Sequence, residues 1–410
     1  MATYTIHQQP ALFQPAYNDI IFVVSSSLNT SPNFKYIADL NINGETIRLK
    51  CFPHPTYGSA VFNFGRIIET YVTSDIDRTV YGFQKNLKSF ITYNVKFGQE
   101  YGPSSGVIAY PNISNTSNKY TWNGLVDFMP FQSYNQNNYL GDGGNVLNFD
   151  RGLIRKIELN QNQWLYFNQN NVASFSSGII NAYNSAGTNT RQCAVVNPFN
   201  SSGTIGNHFL RFGVGTKDLD NTTATSDFIG SGAILPAGTT RYEVSFAGTQ
   251  FSSTFNFNIV DSDCRYPTYR LHWLNKMGAF ESFNFIKKSK SDTTISRVKY
   301  KPPTGGLTSA TAYGYNISDR GTKSFYTENK DTLYLKSDWL NDSENILLRS
   351  LIESPEIYIE SFTDESGNTY NMVPVTCIDN KFSPKSSLND KCFILDLKLE
   401  FCFSRYSQRQ

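Results

Sequence analysis

The hydrophobic pattern is clearest at the end of the chain. Phe393, Leu395, Leu397, Leu399, Phe401 and Phe403 alternate with Ile394, Asp396, Lys398, Glu400 and Cys402, which are mostly polar. Apolar residues at every second position turn one face of an extended chain toward a core and the other toward water or a partner. The spacing predicts a strand spanning roughly 35 Å. Phe401 and Phe403 are both expected on the core face, so Asp at either position is expected to destroy folding or assembly.

Short strand signals recur upstream. Ile20-Ile21-Phe22-Val23-Val24 is a β-branched run between turn residues. Asn43-Gly44 separates two strand-like runs within Tyr36 to Leu49, and that pair predicts a hairpin because both residues accept positive φ. Ala60 to Val72 and Ser89 to Phe97 read as further strands. So do Trp164 to Phe167, Gly178 to Tyr183, His208 to Val214, Tyr242 to Phe246 and Phe255 to Val260. Tyr269 to Asn275 follows, with a turn expected at Lys276-Met277-Gly278 and then Phe280, Phe283 and Phe285. One segment has helical period: Leu340, Leu347, Leu348, Leu351 and Ile352 share a face. Asn341 with Glu344 forms its capping signal, and Pro355 stops it.

These elements predict a mainly β protein: two or three antiparallel β-sandwich (Ig-like) domains with one short C-terminal α-helix at about 341–353. A chain of 410 residues exceeds one ordinary domain. The expected divisions are a sandwich over 1–103, an Asn/Gly/Ser-rich arm or insertion over 104–150, a middle β domain over 151–265, and a β-rich domain with the helix over 266–410. The 104–150 stretch includes Asn112-Ile113-Ser114-Asn115-Thr116-Ser117-Asn118 and Gly141-Asp142-Gly143-Gly144. Its composition fits an ordered arm along a neighbouring subunit and equally fits disorder.

Composition changes the picture in one respect. Charged residues are 17% and aromatics 15%, so Asn, Ser, Thr and Gln supply much of the polar surface. Interfaces favour aromatic residues and deplete charge at their centres. The formal net charge is +2, and the short cluster Lys287, Lys288 and Lys290 reads as a solvated turn. Sequence-specific binding to nucleic acid is therefore not expected. The six cysteines, Cys51, Cys193, Cys264, Cys377, Cys392 and Cys402, lack C-x-x-C spacing and are expected to be reduced thiols. The opening Met1-Ala2-Thr3-Tyr4 predicts no secretory signal, and no apolar run is long enough for a membrane span.

Catalytic signals are sparse. His7, His54, His208 and His272 form neither H-E-x-x-H nor a zinc spacing with cysteine. Gly213-x-Gly215 lacks the third glycine of a dinucleotide fingerprint. Asp75-x-Asp77, Asp218-x-Asp220 and Asp261-x-Asp263 do not continue as calcium loops and read as turns. Trp122, Trp164, Trp273 and Trp339 lie mostly in hydrophobic patterns and are expected in cores. The 34 Asp and Glu leave open a carboxylate pair for glycan cleavage, which only spatial proximity establishes. No catalytic, cofactor-binding or metal-binding residue is nominated, no cofactor is expected, and the chain reads as a non-enzyme.

A resemblance adds to this. It is carried by Tyr269-Arg270-Leu271-His272-Trp273-Leu274-Asn275-Lys276-Met277-Gly278 through Phe285. Further carriers are Leu340 through Leu351-Ile352-Glu353-Ser354-Pro355-Glu356-Ile357-Tyr358, then Val373-Pro374-Val375, Leu388-Asn389-Asp390-Lys391 and the closing strand to Ser404-Arg405-Tyr406. Asn18 to Val24 and Tyr36 to Leu40 match as well. These stretches are similar to virion structural proteins (ring, collar, neck or tail) of tailed phages of Bacteroidetes, including crAss-like phages. The resemblance covers about half the chain, at both ends. It implies a homo-oligomeric ring of twelve or six copies below the portal, contacting portal, adjacent ring or tail proteins. Such a subunit assembles in the bacterial host cytoplasm, resides in the virion, and meets DNA only passively in a lumen. It implies no cofactor and no membrane. The alternatives are a glycan-binding receptor-recognition tail appendage and a head-decoration or cargo protein.

Overall fold

The computed structural model describes residues 4–76, 81–102, 107–109, 116–141, 145–149, 152–170, 175–200, 208–248, 254–261, 265–319, 321–364, 367–379 and 394–406. Strand accounts for 49% and helix for 10% of the described residues, so the fold is mainly β, as its period-two patterning predicts. It divides into two compact units, residues 1–261 with 274–281, and 262–273 with 282–410.

The first unit begins with β1 (Tyr4–Gln8), β2 (Phe13–Pro15), β3 (Ile21–Ser26), β4 (Lys35–Ile42), β5 (Glu45–Cys51), β6 (Ala60–Asn63), β7 (Phe83–Lys85), β8 (Phe90–Tyr101), β9 (Val107–Ala109) and β10 (Lys119–Trp122). One sheet runs β1-β3-β6 and a second runs β2-β10-β8-β4-β5 with β9 beside β8. Their facing sides share one core: Tyr4, Phe22, Val24 and Phe62 from one, Tyr36, Leu40, Val95 and Phe97 from the other. The Asn43-Gly44 hairpin forms as expected, with φ of 48° and 79°, the turn geometry that matches strand twist.

The expected strand over Ala60 to Val72 stops at Asn63. The chain then turns into helix α1 (Gly65–Ile68) and a 3-10 turn (Glu69–Tyr71). Asn63 causes the switch: its Oδ1 accepts from Gly65 N at 3.0 Å and from Ile20 N at 3.1 Å. Gly65 permits it, because a Cβ there would sit 2.8 Å from the Asn18 carbonyl oxygen.

A second pair of layers comes from β11 (Ile154–Ile157), β12 (Trp164–Gln169), β13 (Phe175–Asn184), β14 (Asn189–Val196), β15 (His208–Gly213), β16 (Ser226–Ile229), β17 (Thr239–Gly248) and β18 (Phe255–Ile259). The order β11-β18-β17-β13-β14-β16 faces β12-β15-β7. Leu165, Phe167, Leu210 and Phe212 pack there against Ile180, Val244, Phe246 and Phe257. Strand β7 precedes β8 in sequence yet pairs with β15, so the two sandwich-like layers exchange a strand. Two edge pairings, β2 with β10 and β11 with β18, are parallel. Within 104–150, the described residues supply β9, β10, helix α2 (Phe128–Phe131) and a 3-10 turn (Gln136–Tyr139). Residues 110–115 and 142–144 lie outside the description.

Residues 274–281 hold the first unit at a buried charge. Glu281 pairs with Arg155 at 2.6 Å, with side chains 0% and 6% exposed. Its other oxygen accepts from Phe149 N at 2.6 Å and Asn275 Nδ2 at 2.9 Å. Such complete satisfaction is what makes a buried carboxylate tolerable.

The second unit contains β19 (Tyr269–Leu274), β20 (Phe280–Phe285), β21 (Lys290–Tyr300), β22 (Gly306–Ser309), β23 (Ala312–Gly314) and β24 (Lys323–Lys336). It continues with β25 (Ile357–Glu360), β26 (Phe362–Thr363), β27 (Thr369–Tyr370), β28 (Val373–Cys377), β29 (Asp396–Phe401) and β30 (Arg405–Tyr406). The main sheet runs β20-β19-β25-β28-β29-β24-β21, with β30 beside β24. Among the described residues, three α-helices have five residues or fewer, and the longer one is where the periodicity puts it. Numbering it α4 after α3 (Thr216–Asp220), it spans Asp342–Ile352, with Asn341 and Glu344 capping each other reciprocally. Its Leu347, Leu348 and Leu351 are buried, and Ser350 accepts from Trp273 Nε1 at 2.8 Å.

The closing strand is shorter than the alternation predicts. Phe393 lies outside the described residues. Leu397 and Leu399 are buried, Phe401 is half-buried, and Phe403 is 70% exposed. The chain bends at Cys402, whose N donates to Pro374 O at 3.2 Å, and then resumes as β30. Phe403 therefore leaves the core face, and Asp at that position should leave folding intact.

Two glycines with positive φ separate strain from collision. A Cβ on Gly44 meets nothing within 4 Å, whereas on Gly278 (φ 81°) it lands on the Asn123 carbonyl oxygen. Gly44→Ala should cost about 1–2 kcal/mol from backbone strain alone. Gly278→Ala should cost roughly 3 kcal/mol or more, because backbone must also move. Chemical denaturation of both variants checks the order; equal losses would contradict it.

Candidate functional site

The histidines occupy separate places. His7 is exposed and bonds Ser25 Oγ at 2.7 Å. His54 sits in an exposed turn, its Nδ1 accepting from Thr56 N at 3.2 Å. His208 opens β15 and meets the Phe199 ring edge-on. Trp122, Trp164 and Trp273 are fully buried as expected, but Trp339 is 62% exposed. Asp218 accepts from Gln163 N and Gly215 N at the start of α3. Asp77 and Asp263 lie outside the described residues. Lys287 pairs with Asp338, and Lys290 with Asp292. Among the described residues, no three His, Cys, Asp or Glu are grouped to hold a metal ion. No helix among them is long and apolar enough to cross a membrane. Cys51, Cys193, Cys377 and Cys402 are free thiols.

His272 joins a polar stripe across β20, β19 and β25. Its Nε2 lies 2.9 Å from Glu360 Oε2, and its Nδ1 lies 2.7 Å from Ser282 Oγ. Arg270, directly opposite Glu360 in register, places Nε 3.2 Å from the same oxygen and donates to Asn284 Oδ1 at 2.7 Å. Alternation along each strand puts Arg270 with His272, and Ser282 with Asn284, on one face. A carboxylate only accepts, so Nε2 carries the imidazole proton and Nδ1 accepts from the serine hydroxyl. The order Ser–His–Glu has the composition of a nucleophilic triad. However, Ser282 is 5% exposed, and His272 is 0%, so a substrate carbonyl has no approach to the hydroxyl. The stripe joins three strands by satisfied polar contacts. Burial pushes the His272 pKa below its ordinary value, and Arg270 adds to this while Glu360 opposes it.

The accessible features of the second unit are a cleft and an arm. The cleft, of about 810 Å³, opens over β24, β28 and β29, beside the β26–β27 hairpin. Leu333, Phe362, Phe401 and Phe403 give it an apolar lining, and Asp331 and Asp364 are its charged residues. Among the described residues, no lysine or arginine lines it. Ser361 and Met372 flank the small hairpin with φ of 54° and 52°. Left-handed backbone at non-glycine residues is costly and concentrates at functional sites.

The arm is the outer part of β21 and β24. Thr332 to Lys336 of β24 pair with β29, and Glu328 and Asn329 pair with β30. Beyond them, among the described residues, Lys323 to Thr327 pair with β21 alone. Ile295 and Val298 project from opposite faces of this ribbon, 46% and 44% exposed. At its end the β22–β23 hairpin exposes Leu307 by 77% and Tyr315 by 73%, beside a fully exposed Ile317. Hydrophobic alternation does not mark 286–339 as strand. The usable signal was the run Thr293-Thr294-Ile295 with Val298 and Tyr300, closed by Gly305-Gly306 and Gly314.

Comparison with known proteins supplies no family. No family model matches the chain, and no curated protein matches it.

The buried stripe makes a pH prediction. Below about 6.5, the ordinary histidine value, the unfolded chain binds a proton at His272 that the folded chain resists. Stability from this residue is therefore full above that pH and falls as pH drops below it. Denaturation midpoints at about pH 7.5 and about pH 5.5 should differ in the wild type and differ less in His272→Gln. An unchanged difference in the variant would remove His272 from the account.

Proposed function

We propose that this chain is a non-enzymatic structural subunit of a larger assembly, namely a ring-forming neck or tail protein of a tailed-phage virion. The observation that carries the assembly part is the arm. Two-stranded ribbons are marginal in water on their own, and this one carries exposed apolar side chains on both faces and at its end. A ribbon bearing Ile295, Val298, Leu307, Tyr315 and Ile317 in water is suited to lie on another protein surface. The phage part rests on the resemblance of 18–40, 269–285 and 340–406 to ring and collar proteins. Ring closure uses head-to-tail contacts, with two different faces on each subunit; the arm and the cleft are two such faces. A second reading, a glycan-binding tail appendage, is favoured by Tyr269 and Tyr370 beside Asp331 and Asp364 in the cleft, an aromatic and carboxylate pairing that suits sugar rings and hydroxyls.

Mass photometry with negative-stain averages of the native particle separates these. A closed ring of six or twelve copies is the expected result. A trimer that binds capsular polysaccharide would transfer the assignment to the appendage, and a monomer without glycan binding would count against both.

A further inference from the structure

The cleft and the arm belong to the same unit, and no residue of the β22–β23 hairpin lines the cleft. Asp331 and Ser291 stand at the base of the ribbon and line the cleft. Lys323, where the paired ribbon ends, lies eight residues along β24 from Asp331, or roughly 26 Å at strand rise. The β22–β23 hairpin lies between the two ribbon ends and beyond that point in the chain.

The two surfaces are chemically complementary. Among the described residues from Arg297 to Lys323, four are basic, Arg297, Lys299, Lys301 and Lys323, against one acidic residue, Asp319. The cleft has Asp331 and Asp364 and, among the described residues, no basic residue in its lining. The hairpin presents Leu307, Tyr315 and Ile317 to water; the cleft presents Phe362, Phe401 and an exposed Phe403. A lining this rich in phenylalanine suits apolar side chains better than sugar rings. The positive φ at Ser361 and Met372 holds the β26–β27 hairpin, one wall of the cleft, in a strained shape.

We propose that the β22–β23 end of the arm of one copy seats in the β26–β29 cleft of a second copy, a head-to-tail contact that repeats around a closed ring. Aromatic and aliphatic side chains fill the cleft, and the basic ribbon end meets its carboxylates. This rests on the assembly reading and specifies its interface. Each copy gives one arm and receives one; passed head to tail from copy to copy, the contact closes as a ring or grows as a filament, whereas a reciprocal exchange between two copies would stop at a dimer and overturn the ring.

Two full-length variants test it. The tip variant carries Leu307→Lys and Ile317→Lys; the cleft variant carries Asn371→Lys and Phe403→Lys. All four positions are exposed, so both chains should fold with wild-type denaturation midpoints. The expected result is an oligomeric wild type, with each variant alone weakened in association by at least about tenfold. An equal mixture should form a complex of two chains and grow no further, since it has one intact tip and one intact cleft per pair. Wild-type oligomers that persist in both variants overturn the arm-and-cleft contact and leave the assembly reading standing. A wild type that stays monomeric up to its solubility limit overturns both. A cleft variant that loses glycan binding while assembling normally also overturns the contact, in favour of a sugar site.

Discussion

The pairing of β21 with β24 is the interaction on which the second unit and its functional reading depend. At the inner end it has support: β29 flanks β24, Leu333 and Leu335 are buried, and the sheet continues toward β19 and β20. At the outer end, among the described residues, the same two strands have only each other. Backbone hydrogen bonds between two strands contribute little net stability in water, and apolar residues on both faces of that ribbon remain hydrated. Covering them releases that cost. A chain that keeps such a ribbon has a surface to gain from a partner, and this constraint leads from fold to assembly.

The buried polar groups play a different part. Glu281 with Arg155 in the first unit, and Glu360 with Arg270 and His272 in the second, are satisfied on nearly every side. Removing one member of such a pair costs about 3–5 kcal/mol, although an apolar replacement of the whole group is often neutral. Their effect is to select one strand register: Arg270 meets Glu360 only if β19 and β25 align as they do. A Ser–His–Glu composition sealed from solvent is better explained by this than by turnover. The cleft shows a different combination, with strained backbone, half-buried Phe362 and Phe401, exposed Phe403 and half-buried carboxylates.

Much of the fold was legible because its signals are local. Asn43-Gly44 turned where its φ preferences direct, Asn341 and Glu344 capped α4, and most of the alternating runs became strands. What escaped depends on distant contacts. Asn63 bonding Ile20 N ended a strand that composition alone would prolong, and the Cys402 bond to Pro374 moved Phe403 out of the core. Strand β7 joins β15 across more than a hundred residues of sequence, which no short-range pattern encodes. The arm escaped for another reason: with both faces in water it has no consistent period of burial, so hydrophobic alternation had little to mark. The cleft assembles residues from β19 to Phe403, and only the sheet order brings them together.

Hydrogen–deuterium exchange on the assembled and dilute protein tests the central claim most directly. Amides in 306–314 and 323–327 should exchange rapidly in the dilute chain and become protected on assembly, together with those of the 362–373 wall of the cleft. Protection confined to other surfaces, with the arm exchanging equally fast in both states, would contradict the account.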